Sequence, residues 1–107
     1  MNEINEKLKK YELWSEILKA IANPVRLLII EELQKGEKSL GDFNNLLQID
    51  ISTISRHLNT LKKSGVIESN KKGTQVFYKL KIPCVLNFFT CVQEVLKERL
   101  KEEMKLL

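Results

Sequence analysis

The chain has 107 residues, 43% of them hydrophobic and 30% charged, which suits one folded domain with one core and leaves no room for a separate catalytic domain. Its net charge of +4 is unevenly placed, because residues 51–81 hold seven cations against the single acid Glu68, giving that window +6 and the remainder −2. A concentrated positive region fits a polyanion partner, whereas no apolar stretch approaches the roughly 20 residues of a membrane span and no basic-then-apolar leader opens the chain, so the expectation is a cytoplasmic protein without a membrane partner.

Leu8, Tyr11, Trp14, Ile17, Leu18 and Ile21 recur at helical spacing and predict a first amphipathic helix over about 4–21. Asn23-Pro24 then restarts the chain, since asparagine caps a helix and proline is pre-set for its first position. The second helix carries Val25, Leu27, Leu28, Ile29, Ile30 and Leu33, is apolar over much of its surface, and ends near Gly36 as the expected central core helix. Ser39 with Asp42 three residues on resembles a capping box and opens a short third helix with Phe43, Leu46 and Leu47. Asp50 is the expected cap of a fourth helix that Gly65 stops near Ser64.

Two short helices joined by Gln48 to Asp50 make a helix-turn-helix over about 39–64. The pattern then changes to Val66-Ile67-Glu68-Ser69 and Gln75-Val76-Phe77-Tyr78-Lys79-Leu80 around Asn70-Lys71-Lys72-Gly73-Thr74, a β-hairpin with a basic tip over about 66–80. A basic hairpin directly after a helix-turn-helix is a wing. Pro83 opens a last helix to about 104, with Phe88, Val92, Val95, Leu96 and Leu100 among its apolar positions. The predicted architecture is therefore mainly α with a small β-hairpin, about five helices plus a two-stranded wing, in a single domain spanning 1–107.

On the fourth helix, at about 100° per residue, Ile54, Leu58 and Leu61 form one stripe while Ser52, Arg56, Asn59 and Lys63 face the other way. Thr53, Ser55 and Thr60 flank that outward face, and Lys62 lies nearer its edge. Short hydrogen-bonding side chains with an arginine suit base edges in the major groove, and Arg56 is the first candidate for a bidentate contact to guanine. Lys62, Lys63, Lys71 and Lys72 suit phosphates, with Thr74 beside them at the wing tip. His57 falls at the border of the buried stripe, where packing and DNA contact are both open to it.

Leu18-Lys19-Ala20-Ile21-Ala22-Asn23-Pro24-Val25-Arg26-Leu27-Leu28-Ile29-Ile30 resembles the second-helix signature of the ArsR/SmtB family. Residues Ile51 to Ile67 are similar to its recognition helix, and Lys72 to Leu80 to its wing, so the likeness runs in register over roughly 12–96. The resemblance implies a homodimeric repressor that occupies an operator until an effector weakens its grip, with first and last helices packed on those of the partner chain. It carries DNA contact onto Ser52, Thr53, Ser55, Arg56 and His57. A two-fold dimer requires a near-palindromic duplex with half-sites about 34 Å apart.

The family's metal sites are missing: its Cys-x-Cys position reads Ser39-Leu40-Gly41-Asp42, and residues 83–107 contain no histidine. Cys84 and Cys91 remain, both expected on one face of the last helix and expected to be reduced. Seven residues of helix separate their Cα atoms by about 10.5 Å, too far for an intrachain disulfide. They either pack as small hydrophobes or, with thiols of a second copy, sense As(III), another thiophilic ion or an oxidant; no cofactor is required. The alternatives are a winged-helix regulator without a small-molecule effector and a protein-interaction module of a transcription assembly. An enzyme is not expected, because no Cys-x-x-Cys motif or Cys-His pair stands ready for nucleophilic chemistry.

Overall fold

The computed structural model describes residues 2–105, so residues 1, 106 and 107 of the expected domain lie outside the described residues. Helix α1 (Glu3–Ile21) is followed by α2 (Pro24–Gln34), a two-residue strand β1 (Lys38–Ser39), α3 (Leu40–Leu46), α4 (Ile51–Ser64), the strands β2 (Ile67–Lys72) and β3 (Gln75–Leu80), and α5 (Val85–Lys105). The sheet is antiparallel in the order β1-β3-β2, so the expected two-stranded wing gains a third strand at its base, with Lys38 opposite Tyr78 and Ser39 opposite Phe77.

Local chemistry explains most of the boundaries. The Asn23 side chain accepts hydrogen bonds from the backbone N–H groups of Val25 at 2.9 Å and Arg26 at 3.2 Å, while Pro24 occupies the first helical position. Ser39 and Asp42 form the full capping box: the Asp42 N–H donates to the Ser39 hydroxyl at 3.1 Å, and the Ser39 N–H donates to the Asp42 carboxylate at 2.8 Å. Gly65 ends α4 in the left-handed region at φ +87°, and Val66 N–H reaches back to the Leu61 carbonyl at 3.1 Å, a Schellman closure. The cap of α4 departs from expectation, and α5 begins at Val85 rather than at Pro83. The Asp50 carbonyl accepts from the backbone N–H groups of Thr53 and Ile54, but its carboxylate accepts a hydrogen bond from the Ser52 hydroxyl and makes no capping bond to the backbone.

The core gathers Ile29, Ile30 and Leu33 of α2, Phe43 of α3, Ile54, Leu58 and Leu61 of α4, and Val66, Ile67 and Leu80 around the sheet. Helix α2 is less central than its apolar sequence suggests, because Leu27 and Leu28 are exposed on the face away from that core. Of α1 only Ala20 and Ile21 are buried, and of α5 only Val85. The stripes that the sequence assigned to these two helices lie open, with Trp14 55% and Val95 61% exposed. The molecule is correspondingly flat, with extents of 51 × 51 × 23 Å.

Because Leu58 is fully buried where α4 meets the core, Leu58→Ala is expected to cost about 2–5 kcal/mol of unfolding free energy. Gly65→Ala, whose added Cβ meets open space and suffers only the left-handed backbone, should cost about 1–2 kcal/mol. Urea denaturation followed by circular dichroism measures both, and a Leu58→Ala cost no larger than that of Gly65→Ala would refute this view of the core.

Candidate nucleic-acid interface

The three buried residues of α4 lie at i, i+4 and i+7, so the helix is anchored along one side and cannot turn about its axis without exposing them. Ser52, Ser55, Arg56, Asn59, Thr60, Lys62 and Lys63 are consequently exposed, with Thr53 and His57 half-buried at the margins. Arg56 Nη2 donates to the Thr53 hydroxyl at 3.2 Å, a local bond that holds the guanidinium along the outward face. Ser55, Arg56, Asn59 and Lys62 share a shallow recess of about 230 Å³ with Tyr78 of β3. Helix and wing thus contribute to one continuous polar surface, and Tyr78 is a member of it that the sequence did not single out.

The wing turn is shorter than expected. Asn70, Lys71 and Lys72 continue β2 opposite Phe77, Val76 and Gln75, and only Gly73 and Thr74 make the turn, with Gly73 at φ +66°. A positive φ at the first of two turn residues is the demand that glycine meets in a type II′ hairpin. Neighbouring strand residues face opposite sides, so Lys71 and Lys72 have different surroundings. Lys72 Nζ donates to the Glu37 carboxylate at 2.7 Å and stands 5.3 Å from the centre of the Phe77 ring. That hydrogen bond, with further attraction from Lys72 and Lys79, holds the Glu37 carboxyl below its ordinary value. Lys71 and Thr74 are exposed at the tip.

His57 is held from behind. Arg26, on α2, donates through Nε to the Ala20 carbonyl of α1 at 2.6 Å and through Nη1 to His57 Nδ1 at 3.1 Å. Partial burial, and then the charges of Arg26 and Arg56, push the imidazole pKa down. Neither Arg26 nor Glu37 was singled out as a site residue from the sequence, because the partners they reach lie 31 and 35 positions away with no local pattern to mark them.

Cys84 lies in the turn before α5 rather than on the helix, which begins at Val85 and carries Cys91. The expected common helical face therefore does not extend to Cys84. Both thiols are free and exposed, and among the described residues no group of three or more His, Cys, Asp or Glu side chains could hold a metal ion. No helix among them is long and apolar enough to cross a membrane.

A short helix, a turn, an anchored second helix with outward donors and cations, and an antiparallel hairpin define a winged helix-turn-helix, a DNA-binding class. Residues 23–69 match the bacterial regulatory proteins of the arsR family. An HTH-type transcriptional regulator of Methanocaldococcus jannaschii is 40% identical over 72 residues, covering 66% of this chain and 81% of that one. The biofilm growth-associated repressor of Xylella fastidiosa is 35% identical over 66 residues, and there the match covers 62% of this chain and 58% of the repressor. The solution structure of a homodimeric winged helix-turn-helix DNA-binding domain from Mycobacterium bovis superposes with a TM-score of 0.76 at 27% identity, over 95% of this chain and 93% of that one. The chain belongs to the arsR family and is a DNA-binding transcriptional regulator, in a family of regulators rather than enzymes.

His57 is the only histidine, so its titration stands apart from that of the carboxylates. The folded chain disfavours the imidazolium, and the unfolded chain therefore binds the proton first, near the ordinary value of 6.5. Stability is fully present above that value and is lost as pH falls toward the lower folded pKa. The Tm is expected to drop between about pH 7.5 and pH 5.5, with a flatter profile for His57→Asn, by scanning calorimetry. Identical profiles for the two proteins would be the contrary result.

Proposed function

We propose that the chain is a single-domain homodimeric repressor that binds a near-palindromic operator through α4 and the wing and releases it in response to an effector. The observation that carries this reading is the pairing of one polar, cationic face with apolar helices that the chain leaves uncovered. Besides the open stripes of α1 and α5, a groove of about 680 Å³ runs between α1, α2 and α5, lined by Leu18, Leu27, Leu28, Phe88, Phe89 and Val92. A second copy that lays its own apolar helices here removes that surface from water, at roughly 25 cal/mol per Å² of apolar area. The homodimeric state of the Mycobacterium bovis domain and the repressor role of the Xylella fastidiosa protein support the same reading.

Within it, Arg56 reads a base edge, Ser52, Thr53, Ser55 and Asn59 supply further polar contacts, and Lys63, Lys71 and Thr74 meet the backbone. Lys72 reaches phosphate by exchanging Glu37 for it. Effector response rests on Cys84, in the turn before α5, and Cys91, on α5, whose exposed thiols suit As(III), a related thiophilic ion or an oxidant once a second copy brings further thiols near.

Sedimentation and fluorescence anisotropy on duplex DNA from upstream of its own gene test the proposal together. The expected results are a dimer, operator affinity falling by orders of magnitude from low to physiological salt, and loss of both dimer and operator in Val92→Glu. Arg56→Ala should lower affinity about tenfold or more and relax base preference. Arsenite or a mild oxidant should release DNA from the wild-type protein but not from Cys84→Ser or Cys91→Ser. A monomer without duplex binding at any salt would overturn the repressor and favour a protein-interaction module, and release unchanged by either serine variant would remove the thiols from the effector response.

A further inference from the structure

The contact between Arg26 and His57 links the recognition helix to the junction of α1 and α2. A guanidinium has only donors, so the imidazole nitrogen that faces it must be unprotonated. With Nδ1 accepting from Arg26 at 3.1 Å, the proton of the neutral ring sits on Nε2. Among the described residues Nε2 has no partner and no buried side-chain nitrogen or oxygen lacks one, so this N–H is at the surface.

The position of His57 on α4 indicates what the N–H can meet. It lies at the border between the buried stripe and the outward face, half-buried, while Arg56 and Asn59 point away from the core. A side chain at the margin of a helix that enters a groove reaches the wall, which is sugar and phosphate, rather than the base edges on the floor. The charged groups that act on the ring are both cations, Arg26 from α2 and Arg56 on its own helix, and Arg26 itself donates to the Ala20 carbonyl of α1 at 2.6 Å. They favour a neutral imidazole.

We propose that Arg26 is a positioning residue for DNA binding: by occupying Nδ1 it fixes the His57 tautomer and orientation so that the neutral ring presents Nε2–H to a phosphate oxygen of the duplex. The inference rests on the DNA-binding reading above. It distinguishes His57 from the lysines, because a neutral donor adds affinity without releasing a counterion. It also gives Arg26 a role in the interface that needs no contact with DNA.

The ring state is measured first, on the wild-type protein at about pH 7.5, by long-range proton–nitrogen correlation spectra, with the Nε2–H tautomer expected. Arg26→Met, which keeps much of the aliphatic stem, should leave a mixture of tautomers and a raised His57 pKa. On DNA, His57→Asn should weaken binding to operator and scrambled duplex alike, by about two- to tenfold, with the salt slope unchanged. His57→Gln, whose amide nitrogen reaches nearer the Nε2 position, should restore most of that loss. The His57 variants and the wild-type spectrum carry the test even where Arg26→Met fails to fold. An Nδ1–H tautomer in the wild type, or wild-type affinity in His57→Asn, would overturn this inference while leaving DNA binding in place. Absence of duplex binding by the wild type at every salt concentration would overturn both.

Discussion

The burial of Ile54, Leu58 and Leu61 along one side of α4 is the constraint on which the rest of the molecule depends. A helix fixed at three points over two turns has only one orientation about its axis, and that orientation decides which polar residues face outward. The same burial places the wing. Leu61 and Val66 close the Schellman turn at Gly65 with both side chains in the core, so the chain leaves α4 in a fixed direction and Ile67 begins β2 already buried. Recognition helix and hairpin therefore present one surface with a set spacing, as the recess shared by Arg56, Asn59, Lys62 and Tyr78 records.

The positive window between residues 51 and 81 is not a uniform field. Arg56 is steered by Thr53, Lys72 is engaged by Glu37 and Phe77, and Lys71 is exposed. Exposed ion pairs gain little in water, so the Lys72–Glu37 contact is one that a phosphate can replace at small cost. The pair instead ties the tip end of β2 to Glu37, in the segment that leads into β1.

Much of this was legible because the relevant signals are local. Asn23-Pro24, Ser39 with Asp42, and Gly65 each determine a helix end through hydrogen bonds or a φ value within a few residues, and the 3.6-residue period placed Ile54, Leu58 and Leu61 on the inward side. What was not legible depends on distant partners. Strand β1 has two residues and exists only because β3, about 39 positions later, offers an edge for it. Asp50 has the sequence of a cap, but the neighbouring Ser52 hydroxyl competes for its carboxylate. The wing turn read as five residues because Asn, Lys and Gly cluster there, whereas strand pairing carries β2 through Lys72. Arg26 sits in the stretch from Leu18 to Ile30 that resembles the family's second-helix signature, yet its reach to His57 is a tertiary fact.

The uncovered helices and the recognition helix meet at one place. Ala20 and Ile21 are the buried end of α1, and the Ala20 carbonyl accepts from the Arg26 side chain that also holds His57. Most of α1 before that point carries its apolar side chains into solvent, and beyond Phe89 so does α5, with Val92, Val95, Leu96 and Leu100 exposed. A chain of this size gains too little from its own core to leave such surface uncovered without loss. A second copy packed on α1, as proposed, would fix its axis, and the only polar route from that axis to α4 among the described residues runs through Ala20 and Arg26. In the proposed dimer, a change in how two copies pack would therefore have a short physical path to α4, through one carbonyl, one guanidinium and one imidazole. Because these groups are joined by hydrogen bonds in the present arrangement, moving α1 relative to α4 breaks a hydrogen bond rather than merely stretching a packed surface. That discreteness is what a regulator needs if binding at one face is to be felt at the other.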